Sequence, residues 1–255
     1  MYTESWNKQK RKLDSYFKDE SMTGKKQIRI YIIGTEQHVW LKNLSALCNR
    51  VHDTYMIETN FISNADLVVH TGGADVSPRF YGELEKSKYT NCSEDRDAQD
   101  LADYKFAVEK KIKLLGICRG SQWLTAMAGG KLIQDVTNHG NGHHILDWNN
   151  NIHWVTSTHH QMMYPFSMIN SDYKLIASAQ PKLSARYLNG DDEEITLCEH
   201  FVEPEVVYYT KIKALAIQCH PELMFDGGTE QKWFAKLVLT HIEKDDLTKE
   251  DTKGF

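Results

Sequence analysis

The sequence predicts an α/β fold: a mostly parallel sheet with helices on both faces and antiparallel additions in its second half. Two observations carry that expectation. Short β-branched runs alternate with helix-periodic segments through the first half, as parallel strands joined by crossover helices do. In the second half the apolar runs lie closer together, as strands joined by tight turns do. With 255 residues, 41% of them hydrophobic and 25% charged, the chain is long enough to bury one large core.

The elements follow in order. Residues 1–27 are polar and lysine-rich and form an N-terminal extension, a leader with too few apolar residues to build a core of its own. The main domain is expected over 28–243. It opens with the strand Ile28-Arg29-Ile30-Tyr31-Ile32-Ile33, closed by Gly34. Residues 38–50 carry helical spacing through Val39, Leu44 and Leu47. Leu67-Val68-Val69 is a short buried strand ending at Thr71-Gly72-Gly73. Residues 97–110 form a helix with Leu101, Tyr104, Ala107 and Val108 on its inner face. A strand over 112–115 then leads into Gly116-Ile117-Cys118-Arg119-Gly120 and a helix over 121–128, closed by Gly129-Gly130. Residues 137–165, rich in His, Asn and Gly, are expected to loop over one end of the sheet. Strands are expected at 174–179 and 194–198, a strand pair at 206–209 and 214–219, and a last helix at 230–241 around Trp233, Phe234, Leu237 and Val238. Residues 244–255 form a charged tail.

Composition excludes several classes of partner. The formal net charge is −5, so no bulk basic surface advertises nucleic acid or an anionic membrane. No apolar run reaches the length of a membrane span, and the first residues lack the apolar centre of a signal peptide. The five cysteines are scattered and without CxxC spacing, which argues for a reducing compartment rather than a disulfide framework. A cytoplasmic enzyme is the expectation.

The chemistry is concentrated at Gly116-Ile117-Cys118-Arg119-Gly120. A nucleophile flanked by glycines between a strand and a helix is the layout of a nucleophile elbow. There the strained turn leaves no room for neighbouring side chains, and the helix dipole favours thiolate. A buried structural cysteine would share the pattern, so the rest of the chain has to decide. His220-Pro221-Glu222 follows the apolar run 214–219, which should deliver His220 to the carboxyl end of a strand. Alternation along an extended backbone would place Glu222 on the same side, where a carboxylate could fix the imidazole tautomer. Thr71-Gly72-Gly73-Ala74-Asp75-Val76-Ser77-Pro78 offers main-chain donors. The Gly73 and Arg119 amides are the oxyanion-hole candidates.

These segments together resemble the class I glutamine amidotransferase superfamily, and within it the γ-glutamyl-γ-aminobutyrate hydrolase (peptidase C26-type) branch. Further matching segments are Arg79-Phe80-Tyr81-Gly82-Glu83, Glu94-Asp95-Arg96-Asp97, residues 129–135, and Ser157-Thr158-His159-His160-Gln161, in family order from about residue 28 to 240. The resemblance implies a flavodoxin-like sheet, a Cys118–His220–Glu222 triad, and attack on the amide of glutamine or a γ-glutamyl-amine through a γ-glutamyl thioester. It also implies Gly72, Gln122, His159, His160 and Gln161 as substrate-binding candidates, with no cofactor. Two roles stay open: a stand-alone hydrolase, or a glutaminase subunit that supplies ammonia to a synthase on another chain. A homo-oligomer is a further arrangement, and a non-catalytic binding protein on this fold is the reading from a different class.

Some residues depart from that pattern. Cys219 stands where the branch has an aromatic residue, and packing explains it better than a second nucleophile. Glu203-Pro204-Glu205 is expected to be a solvated turn, with a border to a cationic-amine pocket as the sharper reading. His139, His143, His144 and His153 invite a zinc site, but their spacing fits no compact zinc motif, so no metal ligand is expected. Asp95, Arg96 and Asp97 are explained as an ion-paired loop capping a helix. Residues 162–165 are expected as a packed loop, with a lid as the alternative.

Overall fold

The computed structural model describes residues 26–34, 54–224 and 227–255. The helix expected over 38–50 and residues 1–25 of the extension lie outside the described residues. Strand β1 (Lys26–Ile33) begins two residues before the expected start. It lies between β2 (Thr54–Glu58) and β3 (Leu67–His70), and β3 in turn pairs with β4 (Lys113–Ile117), all parallel. β4 pairs in parallel with β13 (Ala214–Ile217), and there the direction changes. β12 (Pro204–Tyr209), β10 (Tyr173–Ala179), β7 (His143–Asp147) and β8 (Ile152–Val155) continue the sheet, each antiparallel to its neighbour. The nine strands run in the order β2-β1-β3-β4-β13-β12-β10-β7-β8, which gives the expected α/β sheet with an antiparallel second half.

Strand alternation sorts the core into two layers. Leu115, Ile117, Leu215, Ile217 and Val206 face helix α3 (Thr229–Glu243) through Trp233, Phe234 and Leu237. Val68, Leu114, Ala214, Ala216 and Val207 face the other way, against Ala107 of α1 (Glu94–Glu109) and Trp123 and Leu124 of α2 (Arg119–Met127). The small residues Gly116, Ala214 and Ala216 let α2 sit close over β4 and β13. A Cβ on Gly116 would lie 2.3 Å from the Gly120 carbonyl oxygen.

Several expectations are corrected. Residues 137–165 contain β7, β8 and β9 (Met162–Tyr164), which pairs with β5 (Lys131–Ile133), so Met162 and Met163 are fully buried strand residues rather than a loop or lid. The segment 194–198 forms no strand; it contributes only a single bridge between Leu188 and Glu194. Val108 turns outward at 39% exposure, whereas Leu101, Tyr104 and Ala107 pack inward as expected, joined on the buried side of α1 by Asp97, Asp100 and Asp103. Glu203 and Glu205 are fully buried, and Glu205 opens the interior of β12. The tail packs on the body: Leu247 and Thr252 are buried, and Trp148 Nε1 donates to Thr252 Oγ1 at 2.6 Å. Cys92, Cys118, Cys198 and Cys219 are free thiols. Among the described residues no helix is long and apolar enough to cross a membrane.

Candidate active site

Three adjacent parallel strands, β3, β4 and β13, deliver the three sequence motifs to one edge of the sheet. Ligands of open α/β sheets bind outside the carboxyl ends of such strands. Cys118 follows β4 directly, at φ 50° and ψ −110°, a conformation that non-glycine residues adopt only under constraint. Its N–H donates to Ile217 O on β13 at 2.8 Å, and its carbonyl accepts the amides of Ser121 (3.0 Å) and Gln122 (3.2 Å). The turn is thus bonded to β13 on one side and to α2 on the other.

The elbow needs glycine at its far side because α2 crosses the end of β3. A Cβ on Gly120 would lie 1.9 Å from the His70 carbonyl oxygen, which is backbone and cannot swing aside. Gly120→Ala is therefore expected to destabilise the fold by about 3 kcal/mol or more, the upper end of overpacking costs. Urea unfolding measures this, and a cost under about 1 kcal/mol would contradict the packing described.

His220 and Glu222 meet, but through a turn rather than by strand alternation. Pro221–Leu223 form one turn of 3₁₀-helix with Pro221 at its first position, and Leu223 N–H donates to His220 O at 3.1 Å. The turn brings Glu222 Oε1 to 2.7 Å from His220 Nδ1. A carboxylate can only accept, so Nδ1 carries the proton and Nε2 faces the elbow. Thr158 Oγ1 lies 2.9 Å from Nε2, a partner that sequence reasoning missed because nothing distinguishes one threonine hydroxyl from another. Burial works to lower the His220 pKa, but hydrogen bonds to Cys118 and Glu222 outweigh it and raise it to about 10. Cys219 packs in the core beneath, and burial pushes its thiol well above the ordinary range.

A cavity of about 180 Å³ opens beside Cys118, and Gly73, Gln122, His159, His160 and Gln161 all line it. Asp75 and Asn91, which sequence reasoning did not single out as binding residues, line it too. Gly73 stands at φ 146°. Gly72 and Arg119 contribute no lining. The Gly72 carbonyl instead accepts from Arg96 Nη1 at 3.1 Å, while Arg96 Nη2 reaches the Thr71 and Ile33 carbonyls at 3.0 and 3.2 Å. Arg96 thereby braces the glycine loop from the first turn of α1. The Arg119 side chain turns inward to a buried ion network, with Nη2 2.6 Å from Asp97 Oδ1 and Nη1 bonded to Asp100, which also pairs with His70 at 2.7 Å.

The wall opposite the elbow is the segment 157–161, a strap after β8. Gln122 Nε2 donates to Gln161 O at 2.6 Å, and Gln161 Oε1 accepts from Val76 N–H at 3.2 Å. Gln161 Nε2 makes no hydrogen bond among the described residues. His160 bridges Asp75 and Asp135, both at 3.2 Å, and the Asp75 bond is the chief cause of its raised pKa. His159 turns its ring away from the cavity, with Nδ1 3.0 Å from Ser157 Oγ and Nε2 3.8 Å from Glu205 Oε1; burial drives its pKa well down. Of the histidines first considered for zinc, His144 meets Trp154 edge to face and His153 pairs with Asp147 at 3.1 Å. His139 and His143 point inward to Glu203 and Glu205.

Comparison with known proteins fits this arrangement. The glutamine amidotransferase-like protein YvdE of Lactococcus lactis subsp. lactis is 44% identical over 78 residues, 31% of this chain and 33% of that protein. A Schizosaccharomyces pombe relative described as a glutamine amidotransferase is 38% identical over 78 residues, covering 30% and 31% of the two chains. The chain spans about a third of the length of these curated relatives. Among solved structures, the glutaminase domain of Trypanosoma brucei CTPS, with bound acivicin, is similar with a TM-score of 0.56 at 12% identity, covering 87% of this chain and 96% of that one. PurLQS from Thermotoga maritima is similar with a TM-score of 0.50 at 14% identity, covering 86% and 98%. These two likenesses establish the fold. The Peptidase C26 family model matches residues 49–222, more than half of the sequence and inclusive of all three motifs, and this chain belongs to that family.

Proposed function

We propose that the chain is a cysteine amidohydrolase that cleaves the γ-amide of a γ-glutamyl-amine, or of glutamine, through a γ-glutamyl thioester. The observation that supports it most is the juxtaposition of a strained Cys118 with a Glu222-oriented imidazole beside a cavity of about 180 Å³. In this reading the Cys118 thiolate attacks the γ-carbonyl, and the charge that develops on oxygen is met by the Gly73 and Arg119 amides. The His220 imidazolium gives its proton to the leaving nitrogen. Water, deprotonated by the same imidazole, then hydrolyses the thioester and releases glutamate. The Asp75 carboxylate at the cavity suits the α-ammonium of a glutamyl group, and the free Gln161 amide N–H suits its carboxylate.

A panel of γ-glutamyl-amines and glutamine, read by release of amine or ammonia, tests the proposal. Turnover is expected on at least one γ-glutamyl-amine with kcat/KM about tenfold or more above glutamine, a difference of ~1.4 kcal/mol in transition-state binding. Silence on the whole panel, with glutaminase activity gained on adding a synthase partner, would assign the subunit role instead. Silence under both conditions would overturn the enzymatic reading.

A further inference from the structure

We propose that His139, His159 and Glu205 form a divalent metal site of the zinc class behind the wall of the Cys118 cavity. The site is independent of the hydrolase reading. His139 comes from the connection between β6 (Asp135–Val136) and β7, His159 from the strap, and Glu205 from β12. All three are buried, and one donor atom from each lies within 4.8 Å of the other two. His159 Nε2 and Glu205 Oε2 make no hydrogen bond among the described residues, and His139 Nδ1 has a 3.3 Å ion-pair contact with Glu205 Oε1. Two orphaned buried polar atoms, one on His159 and one on Glu205, are costly unless something binds them.

The tautomer of His159 sharpens the argument. Ser157 Oγ donates its only proton to His139 O at 2.7 Å, so toward His159 Nδ1, 3.0 Å away, it can only accept. His159 therefore carries its proton on Nδ1, and Nε2 presents a bare lone pair to a carboxylate oxygen 3.8 Å away. Two lone pairs opposed in a dry interior repel; a cation between them turns the same geometry into an attraction.

The surroundings have the form of an outer ligand shell. Glu203 is fixed by the amides of Leu183 (2.7 Å) and Ser184 (2.8 Å) and by the Tyr187 hydroxyl (2.7 Å), and it lies 3.2 Å from His139 Nε2. A carboxylate behind the far nitrogen of an imidazole orients the near nitrogen to a metal. His143 Nε2, 3.0 Å from Glu205 Oε1, holds the other oxygen of that carboxylate and leaves Oε2 free. Glu203 and Glu205 place two buried carboxylates on the cluster, a surrounding that suits a cation. Two imidazoles and a carboxylate are a zinc-type donor set. His139 Nδ1 and His159 Nε2 lie 3.3 and 3.8 Å from Glu205 Oε1, so both imidazoles converge on this one carboxylate. Small side-chain shifts would seat the ion. It would tie the strap to the sheet and so hold Thr158, His160 and Gln161 in the cavity wall; it takes no part in the chemistry.

Titration of the chelator-treated full chain with Co²⁺ and Zn²⁺ tests this, with d–d absorption and competition against a chromophoric chelator as readouts. One equivalent per chain with tetrahedral cobalt bands is expected. His139→Ala and Glu205→Gln should each weaken binding by at least about 100-fold, whereas Cys118→Ala should leave it unchanged. Absence of stoichiometric binding by the wild-type chain overturns the proposal. So does equal binding by the His139 and Glu205 variants, or loss in Cys118→Ala, which would put the ion on the thiolate. Should a variant fail to fold, X-ray absorption at the zinc edge of the wild-type protein decides: nitrogen and oxygen ligands support the site, and a sulfur ligand refutes it.

Discussion

Cys118→Ala is expected to abolish γ-glutamyl amide hydrolysis, lowering kcat/KM by about four orders of magnitude or more, while the thermal midpoint stays within about 2 °C. A nucleophile, its base and the orienting acid act as one unit, so losing the sulfur removes the covalent route altogether and leaves only binding and oxyanion contacts. The fold should not notice, because alanine keeps a Cβ in the same strained backbone and vacates only a side chain at the cavity edge. Cys118→Gly separates the two effects further. At φ 50° glycine relieves strain that any other residue bears, so this variant should be equally inactive yet more stable by about 1 kcal/mol after the added entropy of its unfolded chain. A glutamine-analogue electrophile should label Cys118 and leave Cys219, fully buried and with its thiol pKa raised, untouched. Labelling at Cys219, or residual turnover above about 1% in Cys118→Ala, would remove Cys118 from its assigned role.

Arg119→Ala is expected to cost about 3–5 kcal/mol of stability, the penalty for leaving buried charge without its partner. Arg119 is 1% exposed, and Asp97 and Asp100 are fully buried. Without the guanidinium, Asp97 keeps, among the described residues, Ser77 as a side-chain donor, and Asp100 keeps His70 and Arg96. The pH dependence follows from Asp100. Burial raises its pKa, but the His70 hydrogen bond and the charges of His70, Arg119 and Arg96 outweigh that and hold it below the ordinary value. A depressed carboxylate stabilises the fold above its unfolded pKa of about 4 and loses that contribution as pH falls through the folded value. Denaturant titrations should therefore show the gap between wild type and Arg119→Ala at full size near neutral pH and narrowing in acid. A gap that stays constant into acid would mean that the ion network contributes nothing.

The elbow and its strand were legible because three constraints coincide there: an apolar run, a nucleophile, and glycines where neighbouring backbone leaves no room. The antiparallel half was hidden for a different reason. In β7 and β8 the inward positions include His143, Asp147 and His153, which satisfy one another and Glu205 rather than an aliphatic core. Hydrophobic periodicity therefore has only Ile145 and Val155 to detect on the inward side, although the alternation of buried and exposed residues is intact. Glu203-Pro204-Glu205 misled in the same way, since two glutamates and a proline look solvated until their partners at 139, 143, 183 and 184 are in place. The pairing of His220 with Glu222 was expected from alternation and arises from a 3₁₀ turn, so the residues were legible and the backbone route was not. The grouping of His139, His159 and Glu205 spans 67 positions, and no local motif encodes it.

The tight seat of α2 on the end of β3 limits how this scaffold can be re-engineered. With a carbonyl 1.9 Å from the nearest added methyl, the elbow admits no adjustment in size, and attempts to retune the reaction there would break the frame before changing its preference. Changes in ligand preference have to be sought on the facing rim, at Ala74 and Asn91, which line the cavity away from the sulfur.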